Sequence, residues 1–218
     1  MDPSPRAAVD ETLRLIAAEL SEYGFEMGAH LVLRARKGDD SWIVRTQTNK
    51  WNRRDVQAWF SLSAWYESKA LAAWRKATFP GRPRNVTQFD RVAATRQIKF
   101  PGTPHQVRWD VIDSTARPAV AREAAAIIRA DIIPWFEAMA DPVRSLDDLL
   151  TGFSSVRSIH YALSAGHADA VKHKLASLVR SNERFAAAMT RLKADPTDRI
   201  KGNAYDDVVL FALEHSLA

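Results

Sequence analysis

The apolar residues of this chain switch from strand-like alternation to helical spacing near Ser114, and that one change restricts the possible folds more than any motif does. Before it, Leu31, Leu33 and Ala35 alternate with Val32, Arg34 and Arg36, and the polar run Lys37 to Asp40 supplies a turn. Trp42–Thr48 follows, with Trp42, Val44, Thr46 and Thr48 on one face and Ile43, Arg45 and Gln47 on the other. Val56–Trp65 repeats the alternation. Val56, Ala58, Phe60, Leu62 and Ala64 form a core face, while Gln57, Trp59, Ser61, Ser63 and Trp65 form a face of mixed character. Arg96–Phe100 and Gln106–Ile112 are the remaining strand candidates, and a helix over Val9–Leu20 precedes the sheet.

From Ser114 onward the pattern is helical. Ser114 or Thr115 can cap a helix running to Met139, in which Pro134 lacks an N–H and should kink or split the ladder near Ala130–Ile133. Ser145 reads as another N-cap, Gly152 as a stop, and Val156–Ser164 as a further helix. A long helix beginning near Ala168 carries Val171, Leu175, Leu178, Asn182, Phe185, Met189 and Leu192 in steps of four and three. That seam either packs inside the monomer, against Ile127, Ile128 and Met139, or breaks at Ser181–Asn182 with a cap between two shorter helices; a paired coil is the competing possibility. Tyr205–Leu217 closes the chain as a last helix. The fold class is therefore α+β: an antiparallel sheet of four or five strands with an N-terminal helix, followed by a mainly helical C-terminal half. The expected division is an α+β domain over residues 1–141, with a Pro-rich basic insert at 78–104, and a helical extension over 142–218 packed on it.

Hydrophobic residues make up 46% of the 218, enough for a substantial core, and no apolar run is long enough to cross a bilayer. The N-terminus lacks the basic-then-apolar layout of a secretion signal, so the expected compartment is the cytoplasm. With no cysteine there is no disulfide, thiolate chemistry or Cys-based zinc site. His160, His167 and His173 are spaced wrongly for one metal centre, because six residues turn a helix through about 240°. The pairs Asp39–Asp40, Asp147–Asp148 and Asp206–Asp207 suit a turn and helix starts. Ser, His and Asp residues are plentiful, but no Gly-x-Ser-x-Gly elbow selects a nucleophile. No catalytic residue, metal ligand or cofactor is assigned.

Charge points elsewhere. Between Arg75 and Arg108 eight basic residues meet one acid, Asp90, and the phrase Phe-Pro-Gly-x-Pro-x-x-Val occurs at Phe79–Val86 and again at Phe100–Val107. Pro followed by Gly suits the centre of a type II turn. The candidate binding patch consists of Arg75, Lys76, Arg82, Arg84, Arg91, Arg96, Lys99 and Arg108, with Trp59 and Trp65 as stacking surfaces.

The order of the N-terminal helix, Gly24-Phe25, the strand at Leu31–Lys37, the strand at Trp42–Gln47, the strand at Phe60–Tyr66, and a later helix ending Ile133-Pro134-Trp135-Phe136 resembles the DUF4304 family of bacterial proteins. The resemblance spans about Leu13 to Met139, implies an α+β fold and carries over no catalytic residue. The functional expectation is a non-enzymatic cytoplasmic protein, monomeric in preference to dimeric, that recognises an acidic macromolecular partner, an acidic protein or nucleic acid, as an accessory or immunity-type component. Two alternatives stand beside it: a nucleic-acid binder using residues 75–108, and a hydrolase with dispersed catalytic residues.

Overall fold

In the computed structural model, residues 4–53, 56–81, 89–150 and 155–217 are described. Strands β1 (Glu26–Gly28), β2 (Val32–Lys37), β3 (Asp40–Thr48), β4 (Trp59–Ser68) and β5 (Val92–Gln97) lie side by side in that order, and β6 (Trp109–Asp110) pairs with β4. Helix α1 (Pro5–Glu19) precedes them and α2 (Lys69–Thr78) follows β4. Helix α3 is continuous through Arg117–Ile127, Ile128–Ile132 and Ile133–Met139, and α4 (Ser155–Ser164), α5 (Ala168–Ser181), α6 (Glu183–Ala194) and α7 (Ala204–Glu214) complete the chain. The α+β class is as expected, and every strand among the described residues ends before Ser114.

The chain divides into two compact units: residues 1–67 with 95–137, and residues 68–94 with 138–218. The boundary expected after residue 141 lies close to the crossing at 137–138. The segment 68–94, expected to stay with the sheet domain, groups with the C-terminal helices instead.

The first unit is built on the β2–β3 hairpin. Lys37 pairs with Asp40, so Gly38 and Asp39 alone turn the chain, and Gly38 takes a φ of 62° that glycine adopts without strain. The register sets Leu33 opposite Val44 and Ala35 opposite Trp42, all four buried. This apolar face, α1 and α3 supply the core, where Trp42 stacks on Phe136 at 5.1 Å. Helix α1 starts where Ser4 Oγ accepts the Ala7 N–H and Pro5 fills a position that needs no donor.

Several expected boundaries shift. Val56 is 56% exposed and belongs to a turn rather than to a strand, because its N–H and that of Gln57 both return to the Arg53 carbonyl. The strand expected at Arg96–Phe100 lies earlier, at Val92–Gln97, and Pro101 stands in a turn closed by the Thr103 N–H on Phe100 O, with Gly102 at φ 72° as a type II turn requires. Of Gln106–Ile112 only Trp109 and Asp110 form a ladder. The Asp110 carboxylate takes the N–H groups of Ala58 and Ile112 and so replaces backbone acceptors there. Helix α3 begins at Arg117 without a side-chain cap, later than Ser114 or Thr115, since the Thr115 N–H and hydroxyl are both used by Asp113. Pro134 has the anticipated effect in a specific form: the helix widens into a π turn at Ile128–Ile132, and the Ile133 N–H bonds to Ile128 O.

In the second unit Leu146, Ile159, Val171, Leu175, Phe185, Met189, Leu192, Val208 and Phe211 share one apolar cluster. The seam residues thus face α4 and α7 within the unit, and the cluster does not include the expected partners Ile127, Ile128 and Met139. Of the alternatives for the helix beginning near Ala168, the break at Ser181–Asn182 is the one found: Asn182 is extended and its Oδ1 accepts the Phe185 N–H at 3.0 Å. Ser145 is not an N-cap: it lies in a short 3-10 turn and its hydroxyl donates to Pro142 O. Gly152 lies outside the described residues. No described helix is long and apolar enough to cross a membrane.

Candidate functional site

The ends of β3 and β4 and the chain returning from Phe100 enclose a cleft of about 370 Å³ in the first unit. It is lined by Gln47, Thr48, Asn49 and Trp51 from the end of β3 and the loop after it, by Trp59, Phe60 and Ser61 from β4, and by Gln106 and Arg108 from the returning chain. Phe60 and Ser61 are buried, whereas Trp51 is 66% and Trp59 36% exposed.

Local hydrogen bonds hold these groups. Asn49 Oδ1 accepts the Trp51 N–H, and Gln57 Nε2 donates to the Trp51 carbonyl at 2.8 Å. Asn52 grips Trp59 from both sides, its Nδ2 donating to Trp59 O and its Oδ1 accepting Trp59 N–H. The Trp59 indole N–H donates to Asp110 Oδ2 at 2.7 Å, which sets the ring's orientation. Lys99 and Gln106 form an isolated antiparallel bridge, and Gln106 Nε2 donates to Leu62 O. The Lys50 ammonium lies 4.9 Å from the centre of the Trp51 ring, a cation–π contact that leaves the indole largely open.

The structure separates the residues singled out from sequence. Trp59 and Arg108 meet in the cleft, with Lys99 on the bridge beside it. Trp65 is half-buried elsewhere on the same strand: the Arg45 guanidinium sits 4.3 Å above its ring and its N–H donates to Ser63 Oγ. Arg96 is tied to Asp131 at 2.8 Å. Arg75, Lys76 and Arg91 belong to the second unit. Lys76 and Arg91 are exposed, but Arg75 is 4% exposed, its Nη1 donating to the carbonyls of Phe89, Asp90 and Val92 and its Nε to His160 Nδ1. Arg75 is therefore an internal brace and not part of an exposed basic strip. Arg82 and Arg84 lie outside the described residues.

Trp51, Gln47, Asn49 and Gln106 were not identified from sequence. Asn-Lys-Trp-Asn in a loop has no motif, although a tryptophan beside Lys50 in a polar turn, where no strand face could bury it, is the signal that was available.

The described residues of the lining offer amides, hydroxyls, indoles and one guanidinium, with no carboxylate or imidazole to move a proton or activate Ser61 or Thr48. Asp110, the nearest acid by hydrogen bonding, is engaged by Ala58, Ile112 and Trp59. Comparison with protein-family models, curated proteins and solved structures finds no match to the chain.

Proposed function

We propose that this chain is a cytoplasmic, non-enzymatic binding protein that recognises an acidic macromolecular partner through the cleft of its first unit. The observation that carries the reading is the meeting of two exposed tryptophans with Arg108 at one concave surface. Exposed indole faces are costly in water, and Arg108, which makes no ion pair among the described residues, is open to an anionic ligand. Among the described residues of the segments forming the cleft, Lys50, Arg53, Lys99 and Arg108 stand against Asp110, whose carboxylate is internally bonded. The field over the cleft therefore favours anions.

The test is equilibrium binding to two acidic polymers, polyglutamate and an oligothymidylate, at about 50 mM salt, where phosphate- or carboxylate-driven binding is strong. The native protein should bind at least one, and Arg108→Ser should weaken it without changing the circular dichroism spectrum. If the native protein binds neither polymer, the reading fails.

A further inference from the structure

The cleft contains more than an acidic partner needs. A peptide carboxylate can accept from the amides of Gln47, Asn49 and Gln106 and pair with Arg108, but it has no flat face to lay on an exposed indole. A nucleotide uses each of these groups. Its base has a flat face for an indole, its edge carries mixed donors and acceptors that match amide side chains, and its phosphate pairs with guanidinium.

Resting on the reading above, we propose that the cleft is a site for single-stranded nucleic acid, with a base stacked on Trp51 and an adjoining phosphate on Arg108. The polar atoms support this division of labour. Asn49 Oδ1 and Gln106 Nε2 are already bonded to the protein, which leaves Asn49 Nδ2 as a donor, Gln106 Oε1 as an acceptor and the Gln47 amide as both. Trp51 is the stacking surface because 66% of it is exposed, whereas Trp59 is 36% exposed and its indole N–H is held by Asp110. A single strand is required, because in a duplex the base faces are occupied by their neighbours and only backbone and groove edges remain to be read. At about 370 Å³ the cleft is at the small end of ligand sites and suits one or two nucleotides, not a helical cylinder. Lys50, beside the Trp51 ring, adds charge where a flanking phosphate would pass.

The experiment compares a labelled oligothymidylate, the corresponding duplex and polyglutamate, for the native chain, Trp51→Ala and Arg108→Ser, over a range of salt. The native protein should prefer the single strand. Trp51→Ala should weaken it about tenfold at every salt concentration and leave the salt slope unchanged, because stacking is not ionic. Arg108→Ser should lower the slope by about 0.7, the value of one phosphate contact on a single strand. Equal binding of duplex and single strand, or a Trp51→Ala protein that binds as the native does, overturns the assignment. Binding of polyglutamate but not of the oligonucleotide overturns it while leaving the acidic-partner reading standing, and binding of none of the three ends both.

Discussion

Arg75 holds a permanent charge in the interior of the second unit. A guanidinium can be buried there because its forked donors meet several acceptors at once: the carbonyls of Phe89, Asp90 and Val92 on Nη1, and His160 Nδ1 on Nε at 3.1 Å. An N–H can only donate, so His160 Nδ1 is unprotonated and the imidazole carries its hydrogen on Nε2. Around this bond the rings of Trp74, Phe79 and Phe211 approach His160, with centroids at 5.3, 5.3 and 4.7 Å. Arg75→Met keeps the apolar stem but strips one buried and two part-buried carbonyls and one ring nitrogen of this donor. The expected loss is about 3–5 kcal/mol in denaturant unfolding. Arg75→Lys should recover only part of it, since a point ammonium does not reproduce the fork. A loss below about 1 kcal/mol for Arg75→Met would show that those carbonyls find other donors or water. Nothing in the sequence distinguishes Arg75 from its neighbour Lys76, because every donor–acceptor pair that buries it is nonlocal. Trp51 and the cleft amides escaped sequence reading for the same reason: strand ends far apart in the chain build the cleft.

Among the helices, the break at Asn182 is where local chemistry overrides a periodic pattern. Val171, Leu175, Phe185, Met189 and Leu192 are all buried, so the seam predicts the buried face correctly on both sides of the break. The steps of four and three continue through it because α5 and α6 are each apolar toward one cluster, not because one helix carries both. Asn182 ends α5 in an extended conformation and opens α6 by accepting the Phe185 N–H. Asn182→Ala should therefore cost about 1 kcal/mol of stability and Asn182→Asp very little, as read from urea midpoints at constant slope. If Asn182→Ala is neutral, the cap contributes nothing and packing alone sets the break. Pro134 was the more legible case, since a missing N–H is written in the residue itself; that the ladder answers with a π turn rather than a simple kink depends on its surroundings. The hairpin was legible for a similar reason, because alternation and Gly38 are both local.

Across the whole chain, the division at 67–68, 94–95 and 137–138 cuts through two strands and a helix, so no linker composition marks it. Both units nevertheless share one electrostatic dependence. Asp113, in the first, is held below the ordinary carboxylate value of 3.8 by the N–H of Thr115, then by its hydroxyl, and Asp195, in the second, by the hydroxyl and N–H of Thr197. Burial acts on Asp206 in the opposite direction and is its largest single influence. The Arg191 hydrogen bond, the Ile200 N–H and the charges of Arg191 and Arg199 together outweigh it, so its pKa is lowered as well. Folded values below unfolded ones mean that the unfolded chain binds more protons as acid is added. The stability these carboxylates contribute is thus complete above about pH 5 and is lost as the pH falls below the ordinary value and through the lowered folded ones. Thermal midpoints of the native protein should therefore be flat from pH 7 to about 5 and fall steeply below about 4. Asp206→Asn cannot ionise, so it should melt lower at neutral pH, where Arg191 has lost its 2.7 Å partner, and decline less on acidification. A variant whose acid decline is as steep as the native one would mean that Asp206 does not drive the loss, and that the pairing with Arg191 is no stronger in the folded state than in the unfolded chain.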